Sequence, residues 1–455
     1  MAVRPRTYLM FAAVLLVLAT LASTAPGFAT AQPSPTGQVE KAAGDLVPTT
    51  DLAMTFASGT VTPAVGVLQD LYEPTVTVSG TGAIYVAGHV IGAYSTGTPA
   101  YVSNNNGVSW TQLPAVSSVS TAPVQGSAQP GGDEGIVVAD GTGRAWLVDM
   151  GAQGMSVTGY CGNGANVCYT LPDAWSPNQS VASGCGVASV ATDRPWAAYA
   201  NNQLLLVNNG YLGTAGNRVQ LSLLNVAPGV APPVTPPFWN GCASAAGFIP
   251  GVPALRGSDG RYVIPHVQGA NLRVITGTTL VPSATTTDFA VASTDLACPG
   301  SGYGANWGFS TVSQPGTFYV TAAKDATHFS VSATTTGTTF KTGTFATVAG
   351  NIAFLWISGS QLAEGALVSW AEDNGSCFNP TFYAAHIKLD ATGTPVISDI
   401  TTIGAVNGAC GDLMGSSLSP SGNAYVVVFA QPNGCTDFPL VTPLRVYKQT
   451  AGPIL

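Results

Sequence analysis

The feature that most constrains this chain is a phrase recurring along its length. "SGTGAIYVAG" (79–88), "DGTGRAWLVD" (140–149), "SQPGTFYVTA" (313–322) and "SPSGNAYVVV" (419–428) each set a glycine turn three residues before an aromatic, followed by β-branched or aliphatic residues. Weaker copies stand at "NNQLLLVNN" (201–209), "SDGRYVIPHV" (258–267) and "EGALVSWAED" (364–373). Taking Gly82, Gly143, Asn202, Gly260, Gly316, Gly365 and Gly422 as markers, the steps are 61, 59, 58, 56, 49 and 57 residues. That period is too long for one hairpin and suits a unit of four strands. A further short apolar strand precedes most of the turns, turn signals recur throughout, and no helical periodicity is visible. The expected fold is therefore all-β: a β-propeller of four-stranded antiparallel blades, which hides strand edges by closing a ring. Seven blades is the favoured count. Six is the alternative, because the third, fourth and sixth copies match weakly. Two β-sandwiches sharing glycine turns would not keep one spacing over seven units.

The first 31 residues lie outside this pattern. Arg4 and Arg6 form a basic start, Tyr8 to Ala22 is an apolar run, and Ala29-Thr30-Ala31 supplies small residues before Gln32. This is the layout of a secretory signal peptide. The apolar run is short for a membrane span, which needs roughly 20 residues. A retained N-terminal anchor is the alternative. Residues 32–50, polar and proline-bearing, read as a flexible linker. Residues 51–455 read as the propeller domain, and the expected location is secreted or cell-surface, with no span in the mature chain.

Charge narrows the partners. Charged residues make up only 8% of the chain, and the net charge of −8 becomes −10 once Arg4 and Arg6 are removed. Nucleic acid and anionic lipid reward basic patches, so both are poor partners for such a chain. Thr, Ser, Asn, Tyr and Trp instead suit hydroxyl-rich ligands and ring stacking. Eight cysteines in an exported chain read as disulfides. The short loop "CGNGANVC" makes Cys161–Cys168 the first candidate pair, with Cys410–Cys435 the second. No CxxC or HxxxH spacing occurs, so no zinc site and no cofactor are expected.

One hairpin carries a resemblance. "Ser103-Asn104-Asn105-Asn106-Gly107-Val108-Ser109-Trp110" fits the spacing S-x-D-x-G-x-[ST]-W. It resembles the Asp box, or BNR repeat, of the sialidase-like propeller superfamily, with Asn105 in place of the acid. A worn copy at 333–340 keeps Gly337, Thr339 and Phe340. In that family the motif closes a turn remote from the active site, so Ser103, Asn105, Gly107, Trp110, Gly337 and Phe340 are expected to be structural. Sialidases also require three arginines around a carboxylate, a Tyr paired with Glu, and an Asp acid/base. The mature chain holds only seven arginines and lacks the Arg-Ile-Pro phrase that usually carries the first. The resemblance therefore implies a non-catalytic member. Arg144 and Arg261 read as exposed turn residues.

The acids show one further pattern. Glu73, Asp133, Glu134, Asp193 and Asp412 precede or open the first strands of blades, where a propeller would ring one mouth of its channel. Arg194 and Arg256 lie near first strands and are candidates for the same mouth. These acids could bind a structural cation, supply a catalytic pair, or simply bond backbone N–H groups where blades join. The leading expectation is a monomeric binding module for glycans or another surface macromolecule. The alternatives are a glycoside hydrolase using two rim carboxylates, and a structural or protein-interaction protein.

Overall fold

The computed structural model describes residues 54–61, 69–70, 72–89, 100–114, 134–151, 154–171, 191–211, 217–231, 241–243, 249–268, 271–278, 289–290, 308–360, 364–373, 380–405, 414–429, 441–442 and 444–452. They form seven antiparallel sheets, all but one four-stranded, and each is one blade. The first strands of the blades are Tyr72–Val78, Glu134–Ala139, Ala191–Ala200, Ala254–Leu255, Phe309–Ser313, Asn351–Gly359 and Gly415–Leu418. Each packs against the first strand of the next blade, and the last packs against the first, so the ring closes. The count is seven, as favoured from the spacing.

Closure depends on the N-terminal side of the domain. Thr55–Val61 is the outermost strand of the seventh blade, paired with Leu444–Ala451 from Thr55↔Ala451 to Val61↔Leu444. The two ends of the domain thus share one sheet, and losing Thr55–Val61 would expose the edge of Leu444–Ala451. A short parallel pair, Gln69–Asp70 with Val441–Thr442, adds a second tie.

All seven marker residues have positive φ: 84° at Gly82, 85° at Gly143, 60° at Asn202, 70° at Gly260, 119° at Gly316, 80° at Gly365 and 82° at Gly422. The third copy looked weak because two asparagines, Asn201 and Asn202, adopt the left-handed region that glycine serves elsewhere. The fourth looked weak because its first strand is broken. Ile249–Pro250 and Ala254–Leu255 both pair with Tyr262–Gln268, and Pro253 lies in the break between them. Gly251, at the break, lets the Gly308 carbonyl of the next blade approach where a Cβ would collide with it.

One buried pair sits in the sixth blade near the closing strand. His386 and Asp399 face each other with Nδ1 and Oδ2 3.6 Å apart. A register shift between Ala384 and His386 places Asp399 at φ 58° opposite them. Thr401 accepts a bond from the Met54 backbone N–H beside the pair. Burial pushes the His386 imidazole below its ordinary range, Asp399 partly opposes this, and Lys388 adds to it. A lowered folded-state pKa means that the unfolded chain binds the proton more readily. The contribution is therefore complete above the unfolded value near ~6.5 and is lost as pH falls through and below it. Melting temperature is expected to fall between pH 7.5 and 5.5, with a shallower fall in His386→Leu. Identical slopes in the two proteins would remove this role from His386.

Candidate functional site

The seven first strands enclose a channel, and its two halves differ. Toward the ends where these strands begin, Trp196, Phe309 and Trp356 meet from the third, fifth and sixth blades. Ring centroids are 4.7 Å apart for Phe309–Trp356, 6.1 Å for Trp196–Trp356 and 6.4 Å for Trp196–Phe309. The Trp196 indole donates to the Pro250 carbonyl at 2.9 Å, tying the fourth blade into this aromatic layer. All three rings are buried.

Beyond that layer, toward the turns after the first strands, lies a cavity of about 310 Å³. All seven blades wall it, with Trp356 beside Thr75, Thr77, Ser310, Thr311, Ser358, Ser360, Ser416 and Ser417. The hydroxyls follow from the geometry of a first strand, which has one edge in the sheet and one turned to the next blade. Val137 N–H donates to the Thr75 hydroxyl at 3.2 Å, and Gly359 N–H donates to Thr311 Oγ1 at 2.7 Å. The Ser310 hydroxyl donates to the Val252 carbonyl at 2.8 Å, and the Ser358 and Ser416 hydroxyls bond each other at 2.8 Å. Short hydroxyl side chains thus satisfy backbone groups across the seams and leave further bonding capacity facing the cavity. The result is a cup with Ser and Thr hydroxyls on the first, fifth, sixth and seventh blades, mainly aliphatic side chains such as Ile136, Ala197 and Leu255 on the second, third and fourth, and Trp356 from the aromatic layer.

Asp140 is the carboxylate among the residues lining this cup, and it is committed elsewhere. Its oxygens accept from Thr142 N–H, Thr142 hydroxyl, Arg144 N–H and Arg144 Nε at 2.7–2.8 Å. Arg144 is therefore not an exposed turn residue, as its sequence context suggested. Its guanidinium lies over the Trp146 ring at 5.0 Å and reaches into the third blade, donating to the Val226 carbonyl and to Asn202 Oδ1, each at 2.9 Å.

Arg256, expected near a channel mouth, is likewise a seam residue. It lies in the turn after the first strand of the fourth blade, paired through Nε and Nη2 with Asp259 at 2.9 and 2.7 Å. Its Nη1 donates to the Gly316 and Thr335 carbonyls of the fifth blade, and its guanidinium stands 4.9 Å over the Phe318 ring. Asp259 is held down to about 2, first by the hydrogen bonds from Arg256. The turn places this arginine at the end away from the strand starts because it follows Leu255 rather than preceding Ala254.

Glu73, Glu134, Asp193 and Arg194 are in first strands at their starting ends, and their side chains lie outside the described residues. The first strand is irregular between Tyr72 and Thr75 and between Asp193 and Trp196, so Glu73 and Arg194 occupy the interrupted stretches. Asp133, Asp412, Cys410 and Cys435 lie outside the described residues, as do the leader 1–31 and the linker 32–50.

The acid that sequence reasoning missed is Glu372. It is buried, and its Oε1 accepts from Val348 N–H at 2.6 Å and from the Trp370 indole at 2.7 Å. Its Oε2 accepts from Ala349 and Gly350 N–H at 2.7 and 2.9 Å. The four-residue connection 347–350 joins the fifth blade to the sixth, so this carboxylate seats a blade junction. Both oxygens are engaged by these four donors, which is a structural task at the junction. The available signal was the alternation "Trp370-Ala371-Glu372", which puts an acid on the buried face of a strand.

The hairpin with the boxed spacing is closed by its own side chains. Gly107 N–H donates to the Ser103 hydroxyl at 2.8 Å and Ser109 N–H donates to Asn105 Oδ1 at 2.9 Å. Asn106 and Gly107 take φ of 66° and 85°. Trp110 packs on the cluster of Val76, Val78, Tyr101, Tyr425, Val427 and Val446 in the seam between the seventh and first blades. At 333–340 the positions matching Ser and Asp are Ala333 and Thr335, but Thr334 and Thr336 perform the bonding instead. Gly337 N–H donates to Thr334 Oγ1 at 3.0 Å, Thr338 and Thr339 N–H donate to Thr336 Oγ1 at 3.3 Å, and Phe340 is buried. Cys161 and Cys168 form a disulfide across the outer hairpin of the second blade. Among the described residues no group of three His, Cys, Asp or Glu side chains could hold a metal ion, and no helix is long and apolar enough to cross a membrane.

No protein-family model matches this sequence, and no curated protein does. Solved structures similar to it are propellers. An α-L-arabinofuranosidase of Fusarium graminearum bound to an iminosugar inhibitor is 10% identical with a TM-score of 0.40, over 78% of this chain and 98% of that one. The phage phi92 endosialidase is 10% identical with a TM-score of 0.44, over 88% of this chain and 70% of that one. The NanB sialidase of Streptococcus pneumoniae is 8% identical with a TM-score of 0.43, over 89% and 70%. Likeness at this level carries nothing about activity or ligand.

Proposed function

We propose that this chain is an exported, sialidase-like propeller that binds a glycan without cleaving it. The observation that carries the reading is the channel cup, where Ser and Thr hydroxyls of four blades meet Trp356 among aliphatic walls and the described carboxylate, Asp140, is already spent on Arg144. Ligand sites of about 300 Å³ and above hold small molecules, and an aromatic face with converging hydroxyls suits a sugar ring. Hydrolysis would need two carboxylates roughly 5–10 Å apart, and among the described residues lining the cup Asp140 has no second carboxylate beside it. Export is supported by the leader-like N-terminus and the Cys161–Cys168 disulfide.

The test uses the Gly141 position. Gly141 lines the cup, and a Cβ there would meet nothing within 4 Å. Gly141→Leu should fold normally and narrow the cup. Residues 32–455 are expected to bind a restricted class of sugars on a glycan array, with affinity reduced about tenfold or more in Gly141→Leu. Undiminished binding in the variant would remove the cup from the reading. Release of reducing sugar from a bound glycan would replace binding with hydrolysis.

A further inference from the structure

The two sides of the channel cup differ in what they can bond. On the first, fifth, sixth and seventh blades its lining includes Thr77, Thr311, Ser358 and Ser416. Each hydroxyl offers one hydrogen and two lone pairs, and the seams use only part of this capacity. Thr311 Oγ1 accepts from Gly359 N–H, a bond that leaves its own hydrogen to give. Of the Ser358–Ser416 pair one hydroxyl donates to the other, so one hydrogen is left over. On the second, third and fourth blades the lining is aliphatic, with Val138, Ala197, Ala198, Val252 and Leu255. Among the described lining residues of these three blades the polar side chains are Asp140 and Tyr199. Arg144 engages both, Asp140 through Nε at 2.7 Å and the Tyr199 hydroxyl through Nη2 at 3.4 Å. Two backbone groups on this side, Val137 N–H and the Val252 carbonyl, are taken by Thr75 and Ser310.

We infer that the cup takes the terminal 6-deoxyhexose of a neutral glycan, with ring hydroxyls on the Ser and Thr side and the C6 methyl on the aliphatic side; this deepens the glycan-binding reading above and rests on it. A volume of about 310 Å³ stands at the lower end of ligand pockets, which run from about 300 to 1,000 Å³, so one ring at a chain end fills it. A 6-deoxyhexose divides its polarity as the cup does: hydroxyls around the ring, and a methyl where other hexoses carry a hydroxymethyl. An ordinary hexose in the same pose would bury its C6 hydroxyl against Val138, Ala198 and Leu255. An unmade hydrogen bond costs more there than a made one gains elsewhere. A charged sugar is disfavoured on either side, because Asp140 and Arg144 already neutralise each other and the Asp140 side chain is shut away from the solvent.

The test uses two matched pairs of methyl glycosides that differ only at C6: the L-fucoside against the L-galactoside, and the L-rhamnoside against the L-mannoside. Titration calorimetry of residues 32–455 is expected to show the 6-deoxy member of at least one pair bound about tenfold more tightly, within the roughly hundredfold that an apolar pocket achieves against an added hydroxyl. Val138 and Ala198 are half-buried at the cup, so Val138→Thr with Ala198→Ser places hydroxyls on the aliphatic side with little change of shape. In that double variant the ratio should fall to about one. Thr77→Val, on the opposite side, should weaken both members of a pair and keep their ratio. Circular dichroism and melting establish that each variant is folded, and Ala198→Ser alone carries the comparison where the double variant is not. A ratio of one or below for both pairs, a ratio that survives the hydroxyl-bearing variant, or failure of all four glycosides to bind would overturn the 6-deoxyhexose inference. A positive glycan array would in each case leave sugar binding in place, whereas four silent glycosides and a blank array would overturn both.

Discussion

Replacing Glu372 by alanine is expected to lower the unfolding free energy by about 3–5 kcal/mol, the scale of removing one partner from a buried charged network. The carboxylate accepts four hydrogen bonds, from three successive backbone N–H groups and one indole. Truncation leaves these donors without their acceptor, and each unsatisfied buried group costs about 1–3 kcal/mol. Some of that cost is relieved, because Val348 is exposed and the connection 347–350 can move toward solvent. Glu372→Gln is a sharper probe. Its amide oxygen can serve one pair of donors, but its NH2 group then points at the other pair, so the loss should remain above about 1 kcal/mol despite near-identical shape. Urea midpoints measure both. Hydrogen exchange should show the amides of 348–350 losing protection in either variant. A loss below 1 kcal/mol in Glu372→Ala would mean that this junction does not depend on the carboxylate.

Glu372 also marks how far the sequence could be read. The period of the ring was legible because the turn after each first strand needs positive φ, and Gly or Asn is the residue that supplies it. The seven markers were therefore visible as residue types. The Cys161–Cys168 pair was legible for a similar local reason, a loop short enough to leave those two sulfurs near each other. The cup was not legible, since its walls come from seven strands roughly a blade apart in sequence and no local pattern announces that their hydroxyls converge. Nor was the fate of the charges. Arg144 stands in a hairpin turn, where solvent exposure is the usual expectation, and Arg256 stands next to a first strand, where the channel mouth is the expectation. Each is instead drawn into a seam by an Asp in its own turn and an aromatic ring on the adjoining strand. The general idea that acids seat blade junctions is realised at Glu372, on a residue that lies in a second strand rather than before a first one.

Arg144→Ala should be the more damaging of the two arginine truncations, by about 3 kcal/mol against less than about 1 for Arg256→Ala. The two clamps have the same parts and differ in burial. The Asp140 side chain is 1% exposed and that of Asp259 is 41% exposed. Without Arg144, Asp140 keeps its bonds from Thr142 and the Arg144 backbone position but loses its counter-charge away from water. The Val226 carbonyl and Asn202 Oδ1 lose their donor as well. Without Arg256, Asp259 is rehydrated at small cost. Pairing Arg144→Met with Asp140→Asn should recover part of the loss, because the double variant no longer buries an uncompensated carboxylate. The coupling from the four-protein cycle is expected to be about 1–3 kcal/mol. Thermal melts of the set are the measurement. If Arg144→Ala and Arg256→Ala cost the same, burial of the acid is not what sets the strength of these seams, and the shared stacking on Trp146 and Phe318 would have to carry it instead.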